Sequence, residues 1–162
     1  MNRALVLGAA AAGGWMLWKS LKPRFDFRGK SVLITGGSRG LGLVLARELA
    51  TRGARISICS RDRDELSVAV RDLLEVTPEA IGVQCDVTDP AQVRAFVAAS
   101  RQEHGPCDVL INNAGIIGVG PLETQTADDF EASLRTHFWA AHHTTMEVLP
   151  EMKQRRAGRI VN

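Results

Sequence analysis

From Ser31 onward, short apolar runs alternate with longer amphipathic stretches. The runs are Ser31–Thr35, Arg55–Ser60, Ile81–Cys85, Val109–Asn112 and Arg159–Asn162; the stretches are Leu41–Arg52, Asp64–Val76, Asp89–His104 and Thr126–Lys153. Strands separated by helices of this length predict βαβ crossovers, hence an α/β fold with a doubly wound parallel sheet. Val32-Leu33-Ile34 and Val109-Leu110-Ile111 are apolar without interruption, as strands are when helices cover both faces. Two helix starts are well signalled. Asp89-Pro90-Ala91-Gln92 offers a capping carboxylate followed by proline, and Thr126 precedes Asp128 and Asp129 in a first turn.

The stretch Thr35-Gly36-Gly37-Ser38-Arg39-Gly40-Leu41-Gly42 joins the first strand to the first helix. A glycine turn in that place aims free backbone N–H groups and the positive end of a helix dipole at one point, which suits a phosphate or pyrophosphate. Glycine serves where the backbone needs positive φ or must touch the ligand without an intervening Cβ. The alternative is an ordinary strand-to-helix turn. The glycines at 36, 40 and 42 do not make the G-x-G-x-x-G dinucleotide fingerprint.

Their spacing resembles the T-G-x-x-x-G-x-G turn of the short-chain dehydrogenase/reductase family, and Asn112-Asn113-Ala114-Gly115 resembles that family's N-N-A-G block. The resemblance runs from about Phe27 to Asn162. It implies a Rossmann-like fold in which Gly36, Ser38, Arg39, Gly40, Leu41 and Gly42 hold the cofactor phosphates. It also implies Asp86 and Val87 at the adenine, and Asn113, Ala114 and Gly115 beside the inner ribose. Asp86 also reads as a turn carboxylate, given Thr88 and Asp89 beside it.

The end of the second strand bears on cofactor choice, because an acid there accepts hydrogen bonds from ribose hydroxyls whereas arginine suits a 2′-phosphate. This chain has Ser60-Arg61, and Arg39 lies in the glycine turn, so NADP(H) is favoured over NAD(H). The rival reading makes both arginines solvated surface residues, with Asp62 neutralising Arg61.

Phe130, Leu134, His137 and Ala141 fall on one stripe of the helix expected over Thr126–Lys153, which predicts that His137 faces inward. In the family resemblance His137 stands where the asparagine of the catalytic tetrad holds a water in the proton relay. A satisfied core histidine is an equal alternative. His142 and His143 read as helix surface or edge, and no metal site is expected.

The family's remaining catalytic groups are a serine and a Tyr-x-x-x-Lys pair, in which the lysine favours the phenolate of a tyrosine whose ordinary pKa is about 10. This chain contains no tyrosine, and Gly158–Asn162 resembles the strand leading to the catalytic serine. The expectation is therefore the cofactor-binding half of an oxidoreductase acting on an alcohol or carbonyl compound, truncated within the fifth strand. Such a piece is expected to be inactive alone and prone to aggregate at the uncovered sheet edge. The competing reading is a noncatalytic nucleotide-binding or interaction module.

Composition changes this picture only at the amino terminus. The chain has 162 residues, 45% hydrophobic and 23% charged, with net charge +2, which fits one globular domain over 25–162 and suggests no nucleic-acid partner. Cys59, Cys85 and Cys107 read as buried reduced thiols. Residues 1–24 form a separate segment, uncharged from Ala4 to Trp18 and flanked by Arg3 and by Lys19, Lys22 and Arg24. As a helix those 15 residues reach only about 22 Å against a hydrocarbon core of about 30 Å. A short membrane anchor that leaves the domain in the cytoplasm is the first expectation, with a cleaved signal peptide or a disordered tail as rivals.

Overall fold

The computed structural model describes residues 25–162; the expected anchor lies outside them. Among the described residues no helix is long and apolar enough to cross a membrane.

Five parallel strands form one sheet: β1 (Ser31–Thr35), β2 (Arg55–Ser60), β3 (Ala80–Gln84), β4 (Val109–Ile111) and β5 (Arg159–Val161). Their order is β3-β2-β1-β4-β5, so the chain winds outward from β1 through β2 to β3, then crosses back to place β4 on the other side of β1. This is the expected doubly wound, Rossmann-like sheet. The reversal between β1 and β4 opens a crevice beyond the carboxyl ends of these strands, where ligands of such folds bind.

Side-chain alternation along the strands builds two cores. Val32, Ile34, Ile56 and Ile58 point to the face covered by α1 (Gly40–Thr51) and α2 (Arg63–Leu74), meeting Ala46, Leu49, Leu66 and Leu73. Leu33, Cys59 and Leu110 point the other way, against Phe96 and Val97 of α3 (Pro90–His104) and Val148 and Met152 of α5 (Ala140–Arg155). Burying each large apolar side chain stabilises the fold by about 1.5–3 kcal/mol. The three cysteines are free and buried, and burial pushes the Cys107 thiol up to about 12.

The single long helix expected over Thr126–Lys153 is instead two. Helix α4 (Ala127–Leu134) leads through a π-helical segment, Arg135–Trp139, into α5. The wider π turn shifts the register, and α4 contributes no buried residue. The stripe predicted to face inward is therefore largely in solvent: Phe130 is 52% and Leu134 57% exposed, and His137 is exposed too. His137 is not a core histidine. His142 is exposed and His143 half-buried, close to the surface or edge expectation. At the sheet edge β5 is mostly exposed, and Val161 is 49% so.

Beneath the sheet, His104 is buried with its Nδ1 3.0 Å from Ser57 Oγ, which lies 2.7 Å from Ser100 Oγ. Burial, reinforced by the nearby Arg55 charge, lowers the His104 pKa below its ordinary 6.5. The folded state thus holds this proton less tightly than the unfolded chain does. Stability from this group is full above pH 6.5 and falls as the pH drops below it. One proton limits the slope to about 1.4 kcal/mol per pH unit. Denaturant unfolding across that range is expected to show the loss in the native protein and a flatter profile in His104→Gln; parallel profiles would exclude His104 as the source.

Candidate functional site

Among the described residues every α-helix that starts from a loop, except one, carries a side-chain cap. Asp62 accepts from the backbone N–H groups of Asp64 and Glu65 at the start of α2, Asp89 from Ala91 at α3, and Thr126 shares a reciprocal capping box with Asp129 at α4. Helix α1 has Arg39 at its N-cap, extended and giving no side-chain cap, and no acid in its first turn. Among the described residues no side chain caps its amino-terminal N–H groups, and its first residues, Gly40 and Leu41, line the crevice. A helix end left this way binds anions.

The glycines shape the approach. Gly36 has φ +65°, and a Cβ there would lie 2.8 Å from Ala114 Cα. Gly42 has an ordinary backbone, yet a Cβ on it would sit 2.5 Å from Asn113 Nδ2 and closer still to the Gly36 carbonyl oxygen. Asn113 ties the turn to the neighbouring strand end. Its Nδ2 donates to the carbonyl oxygens of Thr35 (3.0 Å) and Gly36 (2.9 Å), while Thr35 Oγ1 accepts from the backbone N–H groups of Asn113 and Ala114, each at 3.0 Å.

A cleft of about 960 Å³ runs across the carboxyl edge of the sheet. It brings together Gly36, Ser38, Arg39, Gly40, Leu41, Ser60, Arg61, Asp86, Val87, Asn113, Ala114 and Gly115, all singled out from the sequence. Gly42 lies behind the wall and is buried. Asp86 is split between its two readings: Oδ1 accepts from the Thr88 N–H and hydroxyl, as a turn carboxylate, while Oδ2 accepts nothing from the described residues. Asn112 does structural work, accepting from Thr144 Oγ1 at 2.6 Å and donating to Asn162 Oδ1 at 2.7 Å.

At the β2 end the rival reading, in which Asp62 neutralises Arg61, does not hold: Asp62 Oδ1 accepts from Asp64 and Glu65 as the cap of α2, and the carboxylate forms no ion pair with Arg61. Among the described residues Arg61 makes no ion pair. Arg39 does: its Nη1 lies 3.2 Å from Glu65 Oε1. Glu65 also accepts from Ser38 Oγ at 3.3 Å, and that hydroxyl donates to Ser60 Oγ at 2.9 Å.

His137 does not line this cleft. It borders a neighbouring cavity of about 210 Å³ with Thr35, Asn112, Thr136 and Asn162. Its Nε2 sits 2.8 Å from the Ile116 carbonyl oxygen, to which a protonated Nε2 donates, and its ring lies against Gly115. Glu65 escaped the sequence reading, and Thr35 entered it only as the first residue of the glycine-turn motif, without its hydroxyl's role. Glu65 had one visible signal, an acid in the first turn of the helix that follows Ser60-Arg61.

The family described as short chain dehydrogenase matches residues 30–162. A Streptomyces violaceoruber protein named as ketoacyl reductase 1 of the granaticin polyketide synthase is 41% identical over 133 residues, covering 80% of this chain and 48% of that protein. A solved actinorhodin polyketide ketoreductase variant with NADPH superposes with a TM-score of 0.77 at 35% identity, over 82% of this chain and 52% of its own. An NAD+-bound xylitol dehydrogenase gives 0.80 at 34%, over 85% and 54%. The chain spans about half the length of the curated relatives it matches.

Proposed function

Because the chain belongs to the short-chain dehydrogenase/reductase family, we propose that it is the cofactor-binding half of an oxidoreductase that prefers NADP(H) to NAD(H) and acts on a carbonyl or alcohol group. The uncapped start of α1 and the Cβ-intolerant cradle at Gly36 and Gly42 fit a dinucleotide. When bound, the nicotinamide supplies the hydride chemistry. The residues of this chain bind and orient: the turn from Gly36 to Gly42 faces the phosphates, Asp86 and Val87 the adenine, and Asn113 to Gly115 the inner ribose. Similarity to proteins named as ketoacyl reductases makes a carbonyl compound the proposed substrate class.

One observation carries the NADP(H) preference. The acid beside Arg61 caps α2 through Oδ1, and among the described residues the Arg61 guanidinium at the β2 end of the cleft has no ion-pair partner. The 162 residues include no tyrosine, and His137 has Nε2 committed to Ile116, so no proton transfer is assigned within this chain. Alone it is expected to bind nucleotide without turning over a carbonyl substrate.

Fluorescence titration tests the preference. NADPH should bind more tightly than NADH, and Arg61→Asp should weaken NADPH by about tenfold or more, the worth of one charge-assisted contact, while changing NADH little. An unchanged affinity ratio removes Arg61 from the site.

A further inference from the structure

We propose that Glu65 sets the strength of the cofactor preference, standing as a fixed counter-charge where a 2′-phosphate docks and offering an acceptor where a bare ribose hydroxyl would lie. The proposal rests on the dinucleotide reading of the cleft and deepens it at one end.

Glu65 joins two groups that a phosphate would use. Oε1 takes Arg39 Nη1 at 3.2 Å, and Oε2 takes Ser38 Oγ at 3.3 Å. Ser38, Arg39, Ser60, Arg61 and Glu65 all line the same cleft, and the contacts Ser38–Ser60, Ser38–Glu65 and Arg39–Glu65 join four of them. The carboxylate is held there by its own helix. Glu65 lies in the first turn of α2, where the dipole favours negative charge, and its backbone N–H is tied to Asp62 at 2.9 Å.

The ion pair itself is weak, because the Arg39 side chain is 81% exposed and solvated pairs hold loosely. An arriving phosphate can therefore recruit Arg39. It cannot remove the Glu65 charge: the carboxylate lies 3.2 Å from Arg39 Nη1, so a phosphate held by Arg39 would feel it inside the screening length of about 8 Å at physiological salt. Ser38 has one hydroxyl proton, shared between Ser60 and Glu65, so it too must be won from the carboxylate. For a nucleotide without the 2′-phosphate the signs reverse: ribose hydroxyls donate, and a carboxylate accepts. Two arginines and one glutamate thus make a mixed end, with Glu65 opposing the preference that Arg39 and Arg61 create.

The test titrates the native protein, Glu65→Gln and Glu65→Asp with NADPH and NADH separately, after thermal melts establish that each variant is folded. Glu65→Gln keeps the side-chain shape and drops the charge, so the NADH-to-NADPH ratio of dissociation constants should rise about tenfold, mainly through tighter NADPH. Glu65→Asp keeps the charge and should stay within about twofold of native. An unchanged ratio in Glu65→Gln, or weaker NADPH, would overturn the proposal, the latter because it would make Glu65 a support that aims Arg39 at the phosphate. The preference reading fails separately, if the native protein binds NADH more tightly; a Glu65→Gln ratio that still moves towards NADPH would leave the role of Glu65 standing.

Discussion

Gly42→Val is expected to weaken NADPH binding at least about a hundredfold and to cost about 3 kcal/mol of stability. The reason is steric alone. Gly42 has no positive φ to protect, but a β-carbon on it would press into the Gly36 carbonyl oxygen and the Asn113 amide, both fixed parts of the turn. Something must open, and what opens is the segment whose N–H groups face the cleft. Gly40 provides a contrast within the same turn, since it has φ +56° with nothing within 4 Å of an added Cβ. A substitution there strains the backbone by about 1–2 kcal/mol without closing on a neighbour. Gly118→Ala, in open loop space with its nearest neighbour Gln125 Nε2 at 3.9 Å, is the control expected to change neither binding nor melting. Nucleotide titration and thermal melting read both effects. Native-like NADPH affinity in a folded Gly42→Val protein would mean that the nucleotide sits elsewhere.

How far the sequence reached depends on the range of the interaction involved. Strands β1 and β2 match the predicted Ser31–Thr35 and Arg55–Ser60, because an apolar run ending at a turn is a local signal that burial on both faces reinforces. Caps at Asp89 and Thr126 were equally local. The break in the last helix was not, since a π turn needs only one extra residue per turn and leaves no mark on composition. The spacing of Phe130, Leu134 and His137 fits a straight helix against a core, and only the fold shows that no described element packs there. Arg39 and Glu65 lie 26 positions apart and meet because β1 and β2 are sheet neighbours, each with its helix starting at the carboxyl end. Asp62 shows the limit of proximity alone: its place beside Arg61 kept an ion pair open as a rival reading, but two backbone N–H donors at 2.9 Å draw its Oδ1 to the helix cap.

Asn113→Ala should lower stability by about 2–3 kcal/mol, or roughly 8–12 °C in melting temperature for a domain of this size. One amide nitrogen serves two acceptors, the carbonyls of Thr35 and Gly36, which belong to the last residue of β1 and the first of the turn. Truncation leaves both carbonyls without this donor at a half-buried position, so the loss includes their desolvation as well as the bonds. The same contact fixes where the turn points. Nucleotide affinity should therefore fall along with stability, by about tenfold, even where the variant is still folded. Thr35→Val separates the two sides of the strut: it removes the hydroxyl that accepts from Asn113 and Ala114 but leaves the amide on Gly36. It should destabilise comparably while disturbing affinity less. If Asn113→Ala lost stability and kept full affinity, the turn would owe its shape to Gly36 and Gly42 alone, and the strand-to-turn bridge would be scaffolding with no part in binding.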